Sequence, residues 1–243
     1  MPRRPKNEDS DATRAKLLEA ASLVFAELGF RAATVREICA RAGTNVASVN
    51  YHFGDKLGLY TEVLKDSSAP EVQNRIRSAI SGASSTEEQL SIFVRGMFDK
   101  ILGSNRPAHR LKIMLQEMAN PTPALAIVVD EVIRPQYNQL CKVISLEIGM
   151  SPKSTATRLC VHSLIGQVAH YMHARAVMSQ LWPQFQMDAE QADEVARHIV
   201  RFTLAGLASA KFASEDKKKV TRHERPTNYR QSAEGQGKSA GKT

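Results

Sequence analysis

The stretch from Thr34 to Phe53 constrains this chain more than any other. Thr34-Val35-Arg36-Glu37 has the form of a capping box, in which the Thr34 hydroxyl accepts from the Glu37 amide and the Glu37 carboxylate returns to the Thr34 N–H. A short helix therefore starts at Thr34. Val35, Ile38, Cys39 and Ala42 give it one apolar face, and Gly43 stops it. After Thr44-Asn45 a second short helix carries Val46, Val49 and Phe53. Two short helices around a glycine turn predict a helix-turn-helix.

The rest of the chain carries the same helical period. Leu17, Ala21, Val24, Phe25 and Leu28 fall on one face of a first helix, with Asp11 as its N-cap and Gly29 as its stop. A fourth helix, capped by Asp55, runs through Leu57, Tyr60, Val63 and Leu64 to Ser67, where Pro70 kinks it or opens a new segment. Ser85-Thr86-Glu87-Glu88 is a second capping-box start. Further helices are expected over 107–119, 123–148 with a kink at Pro135, 152–179 and 189–211, several with proline near the first helical position. Runs of alternating β-branched residues between Asn-Gly or Asp-Gly turns are absent, so the fold class is all-α. The expected division is a flexible basic arm over 1–11, a three-helix helix-turn-helix domain over 12–56, a helical ligand-binding and dimerisation domain over 57–211, and a disordered basic tail over 212–243.

Charge narrows the partners. The 243 residues hold 33 Lys plus Arg against 25 Asp plus Glu, a formal net charge of +8, which favours a polyanion. From Ser214 onward eight basic residues stand against four acidic ones, and the segment is too polar to bury a core. Arg3-Arg4-Pro5-Lys6 has the composition of arms that enter a minor groove. No stretch approaches the roughly 18 apolar residues of a membrane span, and no apolar run follows the charged N-terminus, so neither a membrane partner nor a signal peptide is expected. Cys39, Cys141 and Cys160 form no C-x-x-C pair and sit in apolar helical patterns, which suits a reducing cytoplasm.

A recognition helix brings its N-terminal residues to base edges while flanking donors hold phosphate. Thr44, Asn45, Ala47, Ser48 and Asn50 are the short or polar positions able to face a groove, and Val46 suits a thymine methyl. Tyr51, His52 and Lys56, at and beyond the helix end, suit phosphate, as does the helix start capped by Thr34. Arg36 is placed to reach phosphate or a guanine edge. The string from Ala42 to Tyr60, with the preceding Ala20-Ala21, Gly29-Phe30 and Thr34-Val35-Arg36-Glu37-Ile38-Cys39, resembles the TetR/AcrR family of bacterial regulators over residues 12–65. Asn50 departs from the pattern, since most relatives carry an aromatic there. The resemblance implies a homodimer on a palindromic double-stranded operator, released by a small-molecule effector, with repression as the default and a bacterial, nucleoid-associated cytoplasmic location.

The resemblance further implies that the C-terminal half holds the effector and that its last two long helices, here 152–179 and 189–211, pair with a second copy. Ala205, Gly206, Ala208 and Ser209, with Gly166, Gln167 and Tyr171, resemble the subgroup with a CecR-type C-terminal domain. Polar or aromatic groups among apolar ones are the candidate effector contacts: Met97, Phe98, Met114, Met118, His162, Gln167, His170 and Tyr171, with Gln116 and His173 nearby in sequence. A methionine stripe serves equally as core. His170 and His173 share a helical face, but His162 lies about 12 Å back along the axis, so no metal site and no cofactor is expected. No G-x-S-x-G, H-E-x-x-H or phosphate loop occurs, so an enzyme is not expected. The alternative reading is a helical small-molecule-binding or interaction protein without specific DNA binding.

Overall fold

The computed structural model describes residues 6–67, 70–102 and 108–223, and among them every regular element is helical. In chain order these are α1 (Lys6–Ala32), α2 (Val35–Ala42), α3 (Val46–Phe53), α4 (Lys56–Ser67), α5 (Pro70–Gly82), α6 (Thr86–Leu102), α7 (Ala108–Ala119) and α8 (Pro123–Val128). A π-helical turn (Val129–Ile133), α9 (Arg134–Ile148), α10 (Thr155–His173), α11 (Arg175–Leu181) and α12 (Ala189–His223) follow. Local signals account for most starts. The Glu88 N–H donates to Ser85 Oγ at 3.1 Å, and the Glu88 carboxylate accepts from the Ser84 N–H at 2.8 Å, one residue before the position expected. Thr122 caps α8 through the Ala124 N–H at 3.2 Å, with Pro123 in the first turn. Pro70 opens α5.

Gly29 leaves the helical conformation (φ +76°, ψ 167°), but α1 resumes past this expected stop to Ala32, and four other boundaries differ from the expected ones. First, α1 begins at Lys6, so residues 6–11 are its opening turns and Asp11 lies inside the helix, while Arg3, Arg4 and Pro5 fall outside the described residues. Second, α12 continues to His223, because the helix formers of 211–219 prolong a helix already nucleated by packing, and the tail beyond 223 lies outside the described residues. Third, the helix expected over 152–179 starts at Thr155, where Ser154 accepts from the Thr157 N–H at 3.2 Å, and it breaks at Ala174 without glycine or proline. Fourth, Pro135 produces more than a kink. It has no N–H to give back to residue 131, and the preceding turn widens so that the Arg134 N–H reaches the Val129 carbonyl.

Two cores organise the helices, and they do not divide at residue 56. The first gathers Leu17, Ala21, Val24 and Phe25 of α1, Ile38 and Cys39 of α2, Val49 of α3 and Leu59, Tyr60, Val63 and Leu64 of α4 around Ile113 of α7 and Ala124 and Val128 of α8. The second gathers Ile76 and Ile80 of α5, Leu90, Val94 and Phe98 of α6, Leu140, Ile144 and Ile148 of α9, Val161, Leu164 and Val168 of α10, and Ala196, Ile199 and Leu207 of α12. At about 25 cal/mol per Å² of buried apolar surface, these clusters are the main source of stability.

The junction between the halves is polar and buried. Glu117 of α7 is 1% exposed, and one carboxylate oxygen accepts from the Tyr60 hydroxyl at 2.9 Å. Its other oxygen takes the N–H and hydroxyl of Thr122 at 2.7 and 2.9 Å. Burial, then the bond to Glu117, pushes the Tyr60 phenol well above its usual range, so it remains a proton donor. Around this centre Arg110 pairs with Asp66 at 2.8 Å, Gln116 donates to the Ala26 carbonyl at 3.3 Å, and Ser22 Oγ lies 2.9 Å from His109 Nε2. Thus α7 is bonded to both α1 and α4.

Candidate nucleic-acid interface

Local chemistry shapes the turn between α2 and α3. Thr34 Oγ1 accepts from the Glu37 N–H at 3.2 Å, so the Thr34 half of the expected box is formed. At the far end Gly43 adopts φ +64°, a left-handed conformation that strains a side chain, and this turns the chain sharply toward α3. Asn45, in extended conformation, caps α3 by accepting from the Ser48 N–H at 3.0 Å and the Ser48 hydroxyl at 3.2 Å. α4 then starts against the end of α3: the Gly58 N–H donates to Asp55 Oδ1 at 2.7 Å, and a Cβ on Gly58 would sit 2.0 Å from the Phe53 carbonyl oxygen. Only glycine allows that approach.

Burial sorts the candidate contacts on α3. Val49 is buried, while Val46 (42% exposed), Ala47, Asn50 and Tyr51 (79% exposed) form an outward stripe. Ser48 and His52 are half-buried at its edges, and the His52 ring meets Tyr51 edge-on at 4.9 Å. Asn45, Thr34 and Arg36 are exposed, whereas Thr44 is half-buried and its Oγ1 has no hydrogen-bond partner. No acidic residue of α3 itself stands in its first turn. Lys56 is more committed than its sequence position suggests. Its ammonium donates to the Arg31 carbonyl at 3.2 Å and lies 4.8 Å from the Phe30 ring centre, and partial burial lowers its pKa.

The structure adds residues that sequence reasoning missed. Asp9, Ser10 and Thr13 of α1 line an open depression together with Asn45, Ala47, Ser48, Tyr51 and His52. Reading residues 1–11 as a flexible basic arm hid Asp9 and Ser10.

The effector candidates are dispersed rather than gathered. Phe98 is buried, Met97 and Tyr171 are half-buried against the second core, and Tyr171 meets Phe98 at 6.2 Å and Phe185 at 6.0 Å. Met114 instead packs on the first core, and Met118, at 56% exposed, is on the surface, because α7 turns its apolar face to α1 and α4. Gln116 and Glu117 are used at the junction. His162 is exposed beside Tyr137 at 5.7 Å, His170 is exposed edge-on to Tyr171 at 5.7 Å, His173 is exposed, and the Gln167 amide donates to the Ser163 carbonyl at 3.4 Å. Among the described residues no three His, Cys, Asp or Glu side chains gather as a metal site would require, and no helix is long and apolar enough to cross a membrane.

A helix-turn-helix with an outward, uncharged recognition stripe, built into a larger all-helical body, defines a DNA-binding transcriptional regulator. Residues 17–63 match the model of the bacterial regulatory proteins of the tetR family, and residues 86–207 match the C-terminal domain of the HTH-type transcriptional dual regulator CecR. The chain belongs to the TetR family, with a CecR-type C-terminal domain. It is 28% identical over 168 residues to the dual regulator CecR of Shigella flexneri, covering 65% of this chain and 74% of that one. It is 31% identical over 104 residues to the regulator BetI of Escherichia coli, covering 42% of this chain and 52% of that one. In fold it is similar to FadR of Bacillus subtilis, a transcriptional regulator crystallised with stearoyl-CoA, with a TM-score of 0.59 over 79% of this chain and 98% of that one at 15% identity.

Proposed function

We propose that this protein is a homodimeric repressor of the bacterial cytoplasm that holds a roughly palindromic operator and leaves it when a small molecule binds the C-terminal half. The observation that carries the DNA reading is the outward stripe of α3 on a scaffold whose inward side, Val49, is fully buried. Tyr51 at the end of that stripe, with Thr34, Arg36 and His52 and the remaining Lys56 donors, would serve as phosphate contacts. Dimerisation is supported by large apolar side chains left on the surface of α10 and α12, Leu159 and Phe202, beside the exposed small residues Gly166, Ala205 and Gly206. A stable dimer would place the two copies of α3 about one helical turn of DNA apart, roughly 34 to 36 Å. An apolar effector is favoured by the aromatic run Phe98, Tyr171, Phe185 and Trp182, and FadR, of the same fold, binds an acyl-CoA.

Release would run through α4. It carries Lys56 at the helix-turn-helix and Tyr60 at the Glu117 junction, so an effector that favours a different seating of α7 and α8 shifts the population away from the DNA-bound spacing. Fluorescence anisotropy of the full chain on its own promoter region, over a salt series, tests this reading. Binding that weakens steeply with salt, and further in the Arg36→Ala/Tyr51→Ala variant, is expected. Salt-insensitive or absent binding would refute it.

A further inference from the structure

The outward stripe of α3 has a specific chemical grammar. Its eight residues, VASVNYHF, include no Lys or Arg, so α3 carries neither of the side chains that most often read guanine. The carbonyl of Asn45 is occupied by the Ser48 N–H and hydroxyl, which leaves Asn45 only donors. Ser48 is itself engaged by that cap. Asn50 is different: it is exposed one turn beyond Val46, and its side-chain amide makes no hydrogen bond within the described residues, so it offers a donor and an acceptor side by side.

Among the four base edges in the major groove, only adenine answers that pair twice, with its N7 acceptor and N6 donor. Guanine offers two acceptors, cytosine a donor, and thymine one acceptor and a methyl group. Resting on the DNA-binding function proposed above, we propose that Asn50 is the base-reading residue of this protein and that it specifies one adenine in each operator half-site. Val46 and Ala47 complete the reading. They are exposed and apolar, and Val46 precedes Asn50 by four residues, about 6 Å of helix axis. At about 3.4 Å per base pair this places a thymine methyl one or two base pairs from the adenine. The half-site is therefore read as an A·T-rich step, and phosphate-facing groups around it supply affinity without sequence preference.

The test is selection from a random duplex library with the full chain, in parallel with Asn50→Ala, followed by binding to the selected site carrying 7-deazaadenine, which lacks the N7 acceptor. Wild type should select one fixed adenine per half-site with a preference of about five- to 150-fold. Asn50→Ala should lose that preference at that base pair alone, with its unfolding midpoint unchanged because the side chain is exposed. The deaza substitution should weaken wild type and leave the variant unaffected. Retention of the adenine preference by Asn50→Ala, or a wild-type half-site with a fixed guanine in place of adenine, would overturn the assignment while leaving DNA binding intact. Selection of no sequence by wild type would overturn the DNA-binding function and this assignment with it.

Discussion

The outward stripe of α3 and the outer face of α9 to α12 differ in chemistry. On the stripe, Val46 is the one exposed aliphatic group larger than alanine, Ala47 and Asn50 are short or polar, and the exposed aromatic, Tyr51, ends in a hydroxyl. On the outer face, Leu146, Leu159, Leu181, Trp182 and Phe202 remain exposed. A polar stripe over a complete core suits a hydrated, charged partner such as DNA, while large aliphatic groups at the surface suit another protein surface. The most exposed of these aliphatic groups, Leu146 and Leu181, stand on α9 and α11.

Loading the apolar face with charge should break that contrast most visibly. Leu159→Lys combined with Phe202→Lys should give a monomer by analytical ultracentrifugation with an unchanged far-ultraviolet spectrum. Affinity for a two-half-site duplex should fall by about a hundredfold or more, since the second contact is no longer intramolecular. Tyr51→Ala should leave the dimer intact and weaken DNA binding only. The next effect lies at the junction: Glu117→Ala strands the buried Tyr60 hydroxyl and the Thr122 N–H, and should cost about 2 to 4 kcal/mol, or about 5 to 15 °C in unfolding midpoint. Two glycines then compare the cores directly. A Cβ on Gly58 would meet the Phe53 backbone oxygen at 2.0 Å, and Gly58→Ala should cost about 2 to 3 kcal/mol and displace α4. A Cβ on Gly96 would meet Cδ1 and Cγ1 of the buried Ile76 side chain at 2.4 and 2.6 Å, an obstacle of side chain rather than backbone, so Gly96→Ala should cost about 1 to 2 kcal/mol in a urea melt. Asn45→Ala removes a cap and should cost about 1 kcal/mol. Smallest of all, Glu131→Gln loosens a pair between the exposed Glu131 and the half-buried Lys65, which keeps Glu62, and should change stability by less than about 1 kcal/mol.

Signals carried by a few neighbouring residues were legible in the sequence. Thr34, Asp55 and Ser85 mark helix starts because a cap needs one side chain and a nearby N–H, Gly43 marks a helix end because it turns left-handed without strain, and all four do so in the structure. Periodicity also identified the buried faces, since Leu17, Ala21, Phe25, Ile38 and Leu64 are all interior. What it could not specify was the partner of each face. α7 has the same apolar period as α6, yet it packs on α1 and α4, and this scattered Met114 and Met118 away from Phe98 and Tyr171. Glu117 was invisible for the same reason: a glutamate on a polar-looking helix becomes a buried acceptor only when Tyr60 and Thr122, distant in sequence or in the next loop, converge on it. The break at Ala174 has no glycine or proline to announce it.

The sharing of Ile113, Ala124 and Val128 with the first core has a practical consequence for anyone who would transplant this DNA reader. A fragment cut after α4 would expose the groove that α7 and α8 fill and leave the Tyr60 hydroxyl without its acceptor. A working chimera therefore has to carry two non-contiguous pieces, α1 to α4 and α7 to α8, so the smallest portable unit of this regulator is an assembly in space and not a segment of sequence.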